Sequence, residues 1–343
     1  MNMRNMLFVL LSVVILSVSC TEDQDYDDFM QPDIRDSVIK SSDWSKEKDD
    51  KTNGLISLFA DNSMPHQSAA SFGDYLFLVT KAHTNLYMYS MKQKTLLFDI
   101  IMEPGVGTTY YGTDMYHCNQ MSFGVSFYDS HDPFPLLYIS QRSKENLRCF
   151  TEVYRIIAKR DSTDEEFSSL TVELVQTIFF PPMSIDNSMG NVNCVIDSEN
   201  RLLYTYSRNN VKTDSNYRQC KISCFEIPDI HQEEVYLEDS DIKSSFMLDI
   251  SAYYMQGACI VGKYLCIARG AASVKYIDLN IVDLKTQKMK KQIDLLGNGY
   301  KWEPEGCFFY NGHLMIATGK NIWELDFDNE TTGIKESQCN GNL

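Results

Sequence analysis

Residues 67 to 79 read Gln67-Ser68-Ala69-Ala70-Ser71-Phe72-Gly73-Asp74-Tyr75-Leu76-Phe77-Leu78-Val79. A polar amide leads into one short strand, Gly73-Asp74 turns the chain, and a second apolar strand leaves the turn. Gly-Asp is hairpin chemistry, because glycine accepts the left-handed backbone that a tight turn demands. Working outward, Leu86–Ser90 is a third run, Met91–Lys94 a turn and Thr95–Ile101 a fourth run. All are short and rich in β-branched or aromatic residues, which suit a pleated surface.

The same unit returns. Asn193 leads to Leu202 across Glu199-Asn200, Gln256 to Leu265 across Gly262-Lys263, and Glu305 to Leu314 across Asn311-Gly312, each time nine residues apart as in Gln67 and Leu76. Asn119 is the fifth, with its second strand, Leu136–Ser140, delayed by an insertion. A supersecondary unit repeating at roughly 50–70 residues marks a β-propeller. The predicted fold is therefore all-β, a five-bladed β-propeller of four-stranded blades. The fifth unit has Glu305–Tyr310, His313–Thr318 and Asn321–Phe327, and then lacks a fourth strand. Gly54–Phe59, ahead of the first unit, resembles the fourth strands elsewhere. An N-terminal strand completing the last blade would close the ring and remove two open edges. The polar stretch Arg160–Phe167 is predicted to be a loop.

Ahead of the repeats, Arg4 is followed by an apolar run from Met6 to Val18 and then Ser19-Cys20. That run is too short and wrongly flanked to span a membrane. Small residues before a lone cysteine resemble the lipobox of a bacterial lipoprotein, with Ser17 where leucine is usual. The resemblance implies a signal peptide over 1–19, a diacylated Cys20 carrying palmitate-type chains, and anchoring to the outer membrane. The acidic run from Thr21 to Asp28 resembles the surface-export signal of Bacteroidetes lipoproteins, which implies a protein facing the cell exterior. Residues 20–52 then form the lipidated cysteine and its acidic tether, and 53–343 the propeller domain.

The 31 Lys and Arg against 47 Asp and Glu give a net charge of −16. With no basic stripe to neutralise phosphates, no nucleic-acid partner is expected. The ten cysteines contain no Cys-x-x-Cys pair. Cys118, Cys194, Cys259 and Cys307 lie within three residues of the polar position in their repeats, where small apolar thiols pack on inner strands. They are expected to be mostly free and buried.

Side chains two apart on a strand share a face. On the innermost strands that face carries Gln67, Asn119, Asn193, Gln256 and Glu305. Two residues earlier it carries Pro65, His117, Asn191, Tyr254 and Glu303. Two stacked polar rings are thus predicted at one mouth of the channel, with Tyr110, Tyr111, Tyr116, Tyr253 and Trp302 gathered at the same entrances. Amides that read hydroxyls beside rings that stack on sugar faces point to a glycan or another polar small molecule, with Trp302 as the stacking platform.

Trp302-Glu303-Pro304-Glu305-Gly306 is the most pointed local motif. Its two carboxylates would sit ~6.5–7 Å apart, measured between Cα atoms, on one strand face. Glycosidases use paired carboxylates, and other five-bladed propellers include glycosidases. A glycoside hydrolase or lyase using Glu303, Glu305 and His117, with Asp114 a candidate for the opposite acid, is the alternative to a noncatalytic binding protein. A protein–protein scaffold with outer-membrane protein partners is a third reading. His66 and His117 beside these carboxylates match no named metal spacing, so no metal is expected. There is no Gly-x-Ser-x-Gly elbow, phosphate loop or dinucleotide fingerprint, and no cofactor is expected.

Overall fold

The computed structural model describes residues 56–57, 66–80, 85–102, 118–141, 149–160, 167–181, 192–271, 274, 276–297, 300, 302–310, 313–318 and 321–325. Their strands build five sheets, one per repeat. β1 (Ile56–Ser57) comes first. Blade 1 is β2 (His66–Phe72), β3 (Tyr75–Thr80), β4 (Asn85–Ser90) and β5 (Thr95–Ile101). Blade 2 is β6 (Gln120–Phe123), β7 (Leu137–Gln141), β8 (Phe150–Arg160) and β9 (Phe167–Phe179). Blade 3 is β10 (Val192–Asp197), β11 (Leu202–Arg208), β12 (Gln219–Glu226) and β14 (Ser244–Ser251), with β13 (Glu234–Tyr236) in the connector between the last two. Blade 4 is β15 (Met255–Val261), β16 (Tyr264–Gly270), β17 (Ile277–Asp283) and β18 (Lys288–Asp294). Blade 5 contributes β19 (Gly306–Tyr310), β20 (His313–Ala317) and β21 (Asn321–Leu325). The expected five-bladed propeller is the observed one.

Each blade is an antiparallel meander, and the turns obey the chemistry that announced them. Gly73 and Gly262 sit at φ +55° and +52°, and Arg201, after Glu199-Asn200, at +56°. β1 pairs antiparallel with β21, Ile56 opposite Ile322 and Ser57 opposite Asn321, so an N-terminal strand closes the ring as predicted. The remainder of Gly54–Phe59 and the Asn311-Gly312 turn lie outside the described residues.

Blade 2 departs from the predicted four strands. β13, from the blade 3 connector, adds a fifth by pairing parallel with β9, Glu234 opposite Thr177 and Tyr236 opposite Phe179. The physical reason is the edge of β9, a long strand whose outer backbone groups would otherwise stay unpaired. Gln176 Nε2 pins the connector there, donating to the Asp229 and Gln232 carbonyls at 2.7 and 2.8 Å. Tyr236 stacks on Phe179 with centroids 4.6 Å apart and planes 9° from parallel.

The core lies between blades rather than at the centre. Phe77 of blade 1, for example, meets Phe123 of blade 2 edge-on at 5.2 Å. Between blades 4 and 5, Tyr264, Ile281, Leu314 and Trp323 are buried in one cluster. The inner strands need small residues to converge. A Cβ on Gly257 would fall 2.5 Å from Gly306 Cα, and one on Gly306 would fall 2.6 Å from Ala69 Cβ. Blades 4, 5 and 1 thus abut backbone to backbone. The cysteines follow the predicted pattern: the eight described ones are free, and all but the half-buried Cys259 are buried. Burial pushes the Cys194 and Cys220 thiols up, away from their reactive thiolate form.

An innermost strand has no strand neighbour on its channel side, so its backbone groups must find other partners. Side chains supply them. Ser140 Oγ accepts from the Cys194 N–H at 2.7 Å, Ser122 Oγ from the Ile196 N–H at 3.2 Å, and Ser71 Oγ donates to the Phe309 carbonyl at 2.7 Å. Gln120 reaches furthest, from blade 2 to blade 4. Its Oε1 accepts from the Ala258 N–H at 2.6 Å and its Nε2 donates to the Ala258 carbonyl at 2.8 Å.

Candidate functional site

Some of the polar residues that head the inner strands meet across blades through side-chain hydrogen bonds. Gln67 of β2 donates Nε2 to Glu305 Oε2, joining blade 1 to blade 5. From β15, Gln256 donates Nε2 to Glu303 Oε1 at 2.9 Å and to the Gly270 carbonyl at 3.4 Å. The segment entering β19 is therefore clamped on both flanks by amides. Its own backbone is fixed too, the Glu305 N–H donating to the Ala317 carbonyl at 2.7 Å.

Gln67, Asn119, Asn193, Gln256 and Glu305 are all buried, while Trp302 and Glu303 are half-buried. Several polar atoms in this group have no hydrogen-bond partner among the described residues. They are Asn119 Oδ1, Gln256 Oε1, Ser68 Oγ and both ring nitrogens of His66. A buried polar atom without a partner is costly, and most such atoms in proteins are satisfied by protein or by water. Burial pushes the His66 pKa down to about 4. The ring is thus neutral at physiological pH, with one nitrogen able to donate and the other able to accept. Tyr300, fully buried beside the clamp, has its hydroxyl pKa raised by burial, with the Glu305 and Glu303 charges adding to the effect. It stays a neutral phenol.

Trp302 stacks on Trp323 at 4.5 Å and 21°, and Tyr300 meets it edge-on at 5.5 Å. One face of the indole is therefore taken by Trp323, and a ligand could use only the remainder. Tyr254 joins β15 through its backbone, its carbonyl accepting from the Gly270 N–H at 2.9 Å. It is 47 % exposed, holds φ +57° in the turn before β15, and lies beside Tyr253 with ring centroids 6.4 Å apart. The structure thus brings Gln67 into contact with Glu305 and Gln256 into contact with Glu303, and places Asn119 and Asn193, both buried, at the starts of their inner strands. Pro65, Tyr110, Tyr111, Asp114, Tyr116, His117 and Asn191 lie outside the described residues, as does Cys20.

Three polar features near the inner strands were missed by sequence reasoning. Gln120 follows Asn119 directly and sits on the opposite face from the ring of polar starts. The Tyr206 hydroxyl reaches the Gln256 carbonyl at 2.5 Å and lies 3.2 Å from Gln120 Oε1. In blade 4, Asp278 collects Arg269 Nε at 3.0 Å, Asn280 Nδ2 at 2.5 Å and Gln292 Nε2 at 3.1 Å. A polar residue within a short apolar strand was the available signal for Gln120, and nothing local distinguished Tyr206.

Chemically the clamp offers two carboxylates and the amide oxygen of Gln256, a set rich in hydrogen-bond acceptors. Neither a known protein family nor any curated protein matches the sequence. Among solved structures, the glutaminyl cyclase of Myxococcus xanthus is similar at 10% identity, over 78% of this chain and 92% of that one, with a TM-score of 0.41. The hydrazine synthase of Kuenenia stuttgartiensis is similar at 10% identity, over 80% and 69%, with a TM-score of 0.36. The computationally designed Ika8 protein is similar at 7% identity, over 80% and 99%, with a TM-score of 0.33. At these scores none of the likenesses bears on what this chain does.

Proposed function

We propose that this chain is a lipid-anchored binding protein at the surface of a Bacteroidetes-type bacterium, taking a glycan or another polar, uncharged molecule at the channel mouth. One observation carries the ligand reading: the buried Oε1 of Gln256, whose Nε2 holds Glu303, has no hydrogen-bond partner among the described residues, and neither has the buried Oδ1 of Asn119 at the head of another inner strand. A sugar hydroxyl can both donate and accept, so it fits such atoms where an apolar ligand would not. The clamp also favours binding over cleavage. Glu303 and Glu305 enter from one segment, and each already accepts from an amide, whereas a hydrolase sets its two carboxyl groups on either side of the bond it cuts. The anchor rests on the apolar run and Cys20, and the surface location on the acidic residues after it.

A glycan array probed with the chain from Thr21 onward, followed by product analysis on every hit, tests the ligand. Retention of one glycan class with no shortened product supports the reading, and turnover would replace it with the hydrolase or lyase. The anchor is tested by labelling cells with a fatty-acid probe. Cys20→Ala should lose the label and leave the membrane fraction, and equal labelling of both forms would remove the anchor from the proposal.

A further inference from the structure

Between blades 2 and 3 a crevice of about 320 Å³ opens, bounded by Phe180, Pro181 and the face of blade 3. The register of blade 3 explains its character. Val192 lies opposite Ser207 and Ser207 opposite Lys221, while Cys194 lies opposite Thr205 and Thr205 opposite Ser223. The next row, Ile196, Leu203 and Phe225, is apolar and buried against blade 2. The face of one sheet thus changes from core to hydroxyls and a lysine within two rows. Packing against blade 2 accounts for the apolar rows and gives no reason for the polar ones.

The wall is also built in a way that packing does not require. Arg208 is buried, its Nε donates to Asn210 Oδ1 at 2.5 Å, and its guanidinium lies over the Tyr253 ring at 5.1 Å. This holds the Asn210 side chain in place. Asn210 is only 5% exposed, lines the crevice, and its Nδ2 has no partner among the described residues. Lys221 lines the same space and forms no ion pair with the described carboxylate of the lining, Asp239. Among the described residues of the lining the only carboxylate is the exposed Asp239. In a chain of net charge −16, a lysine beside an unpartnered amide N–H gives this stretch of the described lining donors where the rest of the protein is acidic.

We infer that this crevice is a second binding site, for a small polyhydroxylated molecule carrying one carboxylate, a sugar acid. The carboxylate accepts from Asn210 Nδ2 and Lys221 Nζ, the hydroxyls meet Thr205, Ser207 and Ser223, and the ring lies against Phe180 and Phe225. The volume holds one sugar ring rather than a polymer. The single lysine, Lys221, matches a monoanion, and the acidic bulk of the protein repels polyanions. The site uses none of the residues of the channel mouth, so it stands whether or not a neutral glycan binds there.

Isothermal titration of the full chain with D-galacturonate and D-glucuronate, and with galactose and glucose as neutral counterparts, tests it. A uronate should bind at least about tenfold more tightly than its neutral counterpart, the worth of one charge-assisted hydrogen bond, and binding should weaken with added salt. Lys221→Gln and Asn210→Ala should each weaken the uronate about tenfold, while Gln256→Ala at the channel mouth leaves it unchanged. The inference is overturned by absence of uronate binding, by equal affinity for the neutral sugars, by full affinity in Lys221→Gln, or by a Gln256→Ala loss matching that of Lys221→Gln.

Discussion

The side-chain amide of Gln120 mimics a strand: it exchanges two hydrogen bonds with the backbone of Ala258, which belongs to a blade that is not its neighbour in the ring. Blade 2 is thereby tied to blade 4 across the centre. Tyr206 of blade 3, whose hydroxyl touches both Gln120 and the Gln256 carbonyl, fills the space between them.

Gln120→Ala should therefore cost more than a surface substitution. It leaves the buried Ala258 N–H and carbonyl without partners, at about 1–3 kcal/mol for each group left unsatisfied. Gln120→Glu restores the length and the acceptor but sets a carboxylate oxygen against the Ala258 carbonyl, so it should not rescue stability. Urea melts of the two variants beside wild type decide the matter. A midpoint within error of wild type for Gln120→Ala would mean that the bridge contributes nothing.

His66 gives the protein a pH dependence of defined sign. Its folded pKa, lowered to about 4 by burial, lies below the usual value of 6.5. Above pH 6.5 neither folded nor unfolded chain protonates this ring, and stability is full. As pH falls from 6.5 to 4 the unfolded chain takes up the proton first, and about 3 kcal/mol is lost across that window. The carboxylates of the protein titrate in wild type and in His66→Gln alike, so the difference between the two isolates the imidazole. The gap in unfolding free energy between wild type and His66→Gln should shift by that amount between pH 7.5 and pH 4. A constant gap would place His66 in contact with water.

The fold was legible because it is written five times. Gln67 to Val79 alone could be any hairpin; the same polar start, turn and strand at Asn193, Gln256 and Glu305 made it a blade, and the missing fourth strand after Asn321 pointed to Ile56. The site was legible only as a set of addresses. Period-two alternation puts Gln67 and Glu305 on equivalent positions of their strands, but that one donates to the other depends on the angle between two blades. The parallel strand Glu234–Tyr236 was illegible for another reason. It is short, polar and exposed, and only the open edge of β9 makes it a strand. Gln120 was hidden because its partner is a backbone, which leaves no trace in the identity of residue 258.

Ring closure can be tested by truncation. Removing residues 53–60 takes away the pairing of Ile56 with Ile322 and exposes the edge of β21, whose Ile322 and Trp323 are buried. Removing Thr21–Lys51 leaves that pairing intact. The first truncation should lower the melting temperature by several degrees and promote association through the open edge, and the second should do neither. Equal melting temperatures would show that β1 adds no stability to blade 5.

The two amide clamps at the mouth separate binding from chemistry. Gln67→Ala removes the amide donor from Glu305, and Gln256→Ala removes the one from Glu303, so each should lower stability by about 1.5–3 kcal/mol, the range for hydrogen bonds to charged groups. For a ligand held by hydroxyl contacts, Gln256→Ala and Asn119→Ala should also weaken binding by about 0.5–1.5 kcal/mol per neutral hydrogen bond. Trp302→Ala should weaken it through the lost edge and free face of the indole. Glu303→Gln and Glu305→Gln discriminate further. Each keeps the size of the side chain, so in a binding protein they change affinity modestly, with some loss of stability from the weakened amide bond. In an enzyme they would leave binding nearly intact and abolish turnover. Titration calorimetry and product assay on the same variants read both quantities. Unchanged affinity across Trp302, Asn119 and Gln256 variants would move the ligand away from this mouth and leave a scaffold whose polar centre serves only to hold five blades together.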